Sequence, residues 1–154
     1  MYCSFYLRNG VVILPTIGRF YRLSLEVEPV AVVPVGDSEA LIQAFKDTIT
    51  RGNPEVPESK RDGPFLLPKY VGVKSRSAFE RGAFTWSIDE KDGHYCIYPS
   101  RKSRGGGWEH DPASGVVLPA GTTIDELCAQ AVAIVQAKAR SLAPTPQHDR
   151  AGRW

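Results

Sequence analysis

Apolar and polar residues alternate most sharply over residues 83–99, AFTWSIDEKDGHYCIYP. Phe84, Trp86 and Ile88 fall on one side of an extended chain, with Thr85, Ser87 and Asp89 on the other. After Lys91-Asp92-Gly93 the alternation resumes with Tyr95 and Ile97 against His94, Cys96 and Tyr98. A period of two predicts a β-hairpin, and Asp92-Gly93 supplies the positive φ of a tight reversal. The hairpin is expected to be the central pair of a sheet.

The same reading extends to the rest of the chain. Residues 2–7 and 11–14 flank Asn9-Gly10, a strong two-residue turn signal, and predict an opening antiparallel pair that Pro15 and Gly18 interrupt. Tyr21, Leu23, Leu25 and Val27 alternate with Arg22, Ser24, Glu26 and Glu28, a strand with one wet face. Residues 30–35 predict a further strand, which Pro29 and Pro34 place at an edge or limit in its pairing. Asp37 or Ser38 then caps a helix whose Leu41, Phe45 and Ile49 recur every four residues, with Ile42 widening the stripe and Gly52 closing it.

Residues 53–64, with three prolines, read as a surface linker. Residues 65–73 predict a short strand and 74–82 a polar connection. Residues 100–107, SRKSRGGG, read as a mobile basic loop, 109–112 as a turn and 116–118 as a last strand. Thr123 and Glu126 stand at capping-box spacing before Ile124, Leu127, Cys128, Ala131, Ile134 and Val135, which predicts a helix over 124–142. Residues 143–154, with Pro144, Pro146 and Trp154, form a tail. The order of elements before each helix is similar, strand, glycine, cap, amphipathic helix. The expected fold is one α+β domain over residues 1–142, a mostly antiparallel sheet with two amphipathic helices on one face.

Composition narrows the class. A chain of 154 residues that is 42% hydrophobic and 23% charged is that of a globular protein. Nineteen Lys and Arg against 17 Asp and Glu give a formal +2, too small to imply a polyanionic partner without local clustering. Cys3, Cys96 and Cys128 are odd in number and widely spaced, unlike a disulfide framework or a zinc site, so they are read as reduced, in keeping with a cytoplasmic location. The first residues lack the basic start and apolar core of a secretory leader, and no stretch is long enough to span a membrane.

Three constellations carry candidate chemistry. Lys74, Arg76, Arg81, Arg101, Lys102 and Arg104 flank both ends of the hairpin, and with Tyr98 and Trp108 offer phosphate contacts and stacking for single-stranded nucleic acid. The glycine run lacks the ending of a phosphate loop. His94 and His110, with Glu109 and Asp111, are acid–base candidates for RNA cleavage, although their spacing matches no metal or hydrolase signature. Asp89, Glu90 and Asp92 at the hairpin tip, with Trp108, Glu109 and Asp111, combine carboxylates with an aromatic anchor suited to a basic cleft on another protein.

The stretch GVKSRSAFERGAFTWSIDEKDGHYCIYPSRKSRGGGWEHD, followed by VVLP and an amphipathic helix, resembles the small immunity proteins of bacterial contact-dependent growth inhibition systems over residues 70–139. The resemblance implies a cytoplasmic, non-enzymatic protein that binds the toxin domain of a cognate effector one to one and occludes its active site, often that of a nuclease. No cofactor and no metal are expected. The expected contact residues are Asp89, Glu90, Asp92, Trp108, Glu109 and Asp111. The alternative is an RNA-binding or RNA-cleaving protein that uses Lys74, Arg76, Arg101, Lys102 and Arg104 with His94 or His110.

Overall fold

The computed structural model describes residues 1–58, 65–105 and 107–143. Seven strands form one antiparallel sheet: β1 (Tyr2–Arg8), β2 (Val11–Phe20), β3 (Leu23–Pro34), β4 (Ala83–Lys91), β5 (His94–Lys102), β6 (Trp108–His110) and β7 (Val116–Val117). Their order is β3-β2-β1-β4-β5-β6, with β7 pairing a different part of β5. The predicted hairpin is β4–β5, and β4 lies inside the sheet between β1 and β5. Both turns predicted from the sequence carry positive φ at each central position, Asn9 at 48° and Gly10 at 79°, Asp92 at 54° and Gly93 at 77°. That geometry matches the twist of the strands they join.

Several boundaries differ from the sequence expectation. Pro15 and Gly18 do not end β2, which runs on to Phe20 with a register shift between Pro15 and Thr16. The shift absorbs the missing proline donor. Gly18 has another role: the 54–56 segment crosses the strand there, with Arg19 N–H donating to Pro54 O (2.8 Å) and Val56 N–H to Arg19 O (2.8 Å). The two strands expected over 21–27 and 30–35 are one 12-residue strand, β3, at the sheet edge.

Residues 65–73 hold no strand. Leu67–Val71 is a 3-10 turn with Pro68 near its start, where a missing N–H costs nothing, and Gly72 closes it at φ 72°. The expected polar connection contains α2 (Arg76–Glu80), capped by Ser75, whose Phe79 is fully buried. Strand β5 continues through Arg101 and Lys102, and Glu109 and His110 lie in β6 rather than in a turn. Residues 59–64 of the expected linker, Gly106 and the tail from 144 lie outside the described residues.

The two long helices are α1 (Ser38–Arg51) and α3 (Ile124–Leu142). Asp37 Oδ1 accepts from Ala40 N–H (3.2 Å), and the Thr123–Glu126 capping box is formed. Both helices pack on one face of the sheet. Leu41, Phe45 and Ile49 of α1 and Leu127, Ala131 and Val135 of α3 share a core with Phe5, Leu7, Trp86, Ile88 and Ile97. Phe5 is central, its ring edge-on to Phe45 at 4.9 Å and stacked on Trp86 at 5.4 Å. Gln136 Nε2–H joins the helices by donating to Val35 O (3.0 Å) and Ser38 Oγ (2.8 Å).

The opposite face is not left bare. Tyr6, Ile13 and Ala83 on that face form a second small core with Leu67 and Phe79. Residues 65–80 thus roof the β2–β1–β4 part of the sheet, whereas no helix covers the β4–β5–β6 part among the described residues.

Candidate functional site

Because side chains alternate across a strand, the residues left on the second face are set by the positions of the core residues. In β1 they are Tyr2, Ser4 and Tyr6, and in β4 Thr85, Ser87 and Asp89. Their neighbours Cys3, Phe5, Trp86 and Ile88 belong to the main core. This polar face is largely buried: Ser4, Tyr6, Thr85 and Ser87 are each below 9% exposed. Glu26 of β3 closes one side of the resulting depression and Trp108 and His110 of β6 the other, around a volume of about 140 Å³.

The buried polar groups are mostly paired, as burial requires. Tyr2 Oη and Ser87 Oγ are 3.0 Å apart, and Thr85 Oγ1–H donates to Phe5 O at 3.0 Å. Tyr6 O–H donates to Glu26 Oε1 at 2.7 Å. The other carboxylate oxygen, Oε2, is buried without a hydrogen-bond partner. Burial raises the Glu26 carboxyl above its ordinary value, against the Tyr6 hydrogen bond and the Arg76 charge, which lower it. Burial likewise raises Tyr2, Tyr6 and Tyr98. Tyr98 lies on this face too, its ring 5.0 Å from that of His110.

The residues singled out from the sequence are only partly gathered. Trp108 pairs with Lys102, whereas the hairpin tip lies eight residues along β5, roughly 26 Å away at strand rise. Asp89 and Trp108 belong to the polar face. Glu90 and Glu109 alternate to the other side, and Asp92 sits in the turn. Asp111 accepts from Ser114 Oγ–H at 3.0 Å, and its N–H donates to Pro99 O at 2.9 Å.

The basic set is dispersed, and three of its six members are engaged. Arg101 meets Glu109 at 3.8 Å, Arg76 meets Glu80 at 3.0 Å, and Lys102 Nζ lies 5.7 Å from the Trp108 ring centre. Lys74, Arg76 and Arg81 flank α2, apart from the β5–β6 hairpin that carries Arg101, Lys102 and Arg104. The imidazoles do not converge either: His110 is opposite Ser100, six positions or roughly 20 Å from His94. His94 Nδ1 is instead 3.2 Å from Leu118 O. Among the described residues no three His, Cys, Asp or Glu side chains cluster as a metal would need.

Sequence reading missed Tyr2, Ser4, Tyr6 and Glu26. The available signal was the polar half of the alternation in β1, Tyr2, Ser4 and Tyr6, in register with Thr85, Ser87 and Asp89 of β4. Cys3 and Cys128 act as apolar fillers of the main core, whereas Cys96 is half-buried opposite Asp89. Cys3 and Cys128 are buried, and burial pushes the Cys3 thiol up to about 12 and Cys128 to about 11. No helix among the described residues is long and apolar enough to cross a membrane.

No protein-family model matches the chain, and no curated protein matches its sequence. Solved structures do share its fold. The protein of unknown function NMB0488 from Neisseria meningitidis superposes with a TM-score of 0.63 at 19% identity, covering 89% of this chain and 93% of its own. A chain of the CdiA-CT/CdiI toxin and immunity complex from Yersinia pseudotuberculosis superposes with a TM-score of 0.62 at 13% identity, over 89% of this chain and 95% of its own. This α+β fold therefore occurs in a toxin and immunity complex, and the resemblance read over residues 70–139 is matched by a likeness of fold across most of the chain.

Proposed function

We propose that this chain is a non-enzymatic, cytoplasmic immunity protein that binds a cognate toxin domain one to one and occludes its active site. The observation that carries the reading is the fold shared over nine-tenths of the chain with a member of a toxin and immunity complex. The physical support is a sheet face with a polar depression flanked by an aromatic and a loop, the form of an anchor surrounded by polar contacts. Trp108 is the anchor on this face, with Glu109 on the reverse side of β6 and Asp111 just after the strand. Asp89, Glu90 and Asp92 form a second acidic patch at the far end of the hairpin, which engages only a partner long enough to span the strand.

The test is co-purification with the toxin domain encoded beside this chain, followed by calorimetry. A tight one-to-one complex is expected, and Trp108→Ala should weaken it by about 2 kcal/mol or more, as truncation of a central aromatic does. Binding unchanged by Trp108→Ala removes this surface from the interface. Salt-dependent binding to RNA that vanishes when Arg101, Lys102 and Arg104 are replaced together would favour the nucleic-acid alternative instead.

A further inference from the structure

We propose that the depression on the polar sheet face is a receptor for a cationic side chain, an arginine or lysine presented by the partner, with the Glu26 carboxylate as its counter-ion. The proposal names the partner chemistry of the site described above and rests on that reading for the identity of the partner, but not for the existence of the pocket.

Hydrogen bonding at Glu26 is unbalanced. A carboxylate has about four acceptor positions, and Glu26 uses one oxygen for Tyr6 O–H at 2.7 Å while Oε2 is buried and unpaired. A buried acceptor without a donor costs free energy that the rest of the fold must carry, so such a group in a native site calls for a function. Arg76, whose charge acts on Glu26, makes no hydrogen bond to Oε2. Arg76 of α2 is committed to Glu80 at 3.0 Å and stands over the Phe65 ring at 5.1 Å. Among the described residues Tyr6 of β1 is the group hydrogen-bonded to Glu26, and its O–H is already given.

The surroundings suit a cation better than an anion or an apolar group. With Glu26, the hydroxyl residues Tyr2, Ser4, Ser24 and Ser87 line the depression, Tyr2 and Ser87 bonded to each other with oxygen lone pairs left to accept from an ammonium or guanidinium, and no Lys or Arg is among its lining residues. Trp108 and His110 form the opposite rim, Trp108 with Lys102 Nζ 5.7 Å from its ring centre and His110 with its ring 5.0 Å from that of Tyr98. The volume, about 140 Å³, is several times what one water needs and admits the head of a long side chain. A guanidinium fork placed on Oε2 would convert an unpaired buried oxygen into a charge-assisted hydrogen bond.

The probe that tests this without any toxin is Nα-acetyl-arginine methylamide, titrated into the full chain and followed by NMR, with the neutral isostere Nα-acetyl-citrulline methylamide as control. The expected result is saturable shifts at Glu26 Cδ, Tyr6 and the Trp108 indole. Binding should be about tenfold weaker for citrulline and about tenfold weaker in Glu26→Gln, whose amide spectrum verifies that it is folded. Binding should also strengthen as the pH rises above the ordinary carboxyl value and Glu26 loses its proton, with Arg76, Glu80, Tyr6, Tyr2 and His110 as the charged or titratable groups around it. Equal responses to arginine and citrulline, or shifts that bypass Glu26, overturn the proposal. The two readings fail separately: arginine binding through Glu26 in a chain that captures no toxin retains the pocket and removes the immunity role, whereas toxin binding indifferent to Glu26→Gln, with no arginine response, does the reverse.

Discussion

Replacing Phe5 with Ala tests the arrangement on which the polar face depends, the seating of α1 and α3 on the other side of β1. Phe5 is fully buried, edge-on to Phe45 of α1 and stacked on Trp86 of β4, so one ring links helix and sheet. An aromatic side chain buries about 150–250 Å², which at about 25 cal/mol per Å² is roughly 4–6 kcal/mol, an upper figure because denatured chains are partly compact. Measured Phe→Ala costs in cores run about 3–5 kcal/mol, and a loss near 4 kcal/mol is expected here. For a chain of this size that corresponds to a drop in Tm of roughly 8–16 °C. Phe5→Leu, which keeps most of the volume, should cost less than about 1.5 kcal/mol. Urea unfolding followed by the fluorescence of Trp86, which stacks directly on the probe site, reads the difference. A Phe5→Ala loss below about 1.5 kcal/mol would refute the reasoning, since a ring held between Phe45 and Trp86 cannot be removed so cheaply.

Other consequences follow from the same geometry. In Gly18→Ala the new Cβ would overlap Val56 Cγ2 and crowd Pro54 O where the 54–56 segment crosses β2, and a loss of about 1–3 kcal/mol is expected in urea unfolding. Thr123→Ala breaks the capping box of α3 and should cost about 1 kcal/mol, with Thr123→Ser retaining most of it. For Glu26, burial raises the folded carboxyl above the ordinary 4.5, so the native state holds its proton more tightly than the unfolded chain. The resulting stability is full below that ordinary value and declines as pH rises through the folded one. Urea midpoints of Glu26→Gln against wild type should therefore move in favour of the variant as pH rises from about 4 to 8; a difference that stays flat contradicts the burial argument.

What could be read from residues alone was whatever depends on local periodicity and local hydrogen bonding. The β4–β5 alternation, the positive-φ turns at Asn9-Gly10 and Asp92-Gly93, the Asp37 cap and the Thr123–Glu126 box all lie within a few residues of the groups they act on, and the fold class follows from them. Tertiary structure decided the rest. Gly18 reads as a break until the crossing at Val56 shows why a Cβ is excluded there, and residues 65–80 read as strand and connection until Leu67 and Phe79 are seen buried against Tyr6. The depression is of the same kind. Glu26 is 20 residues from Tyr6, and Ser87 is 85 from Tyr2, so no spacing within one stretch announces their contact. Only strand order and register, which depend on burying the opposite face under α1 and α3, bring these polar groups together.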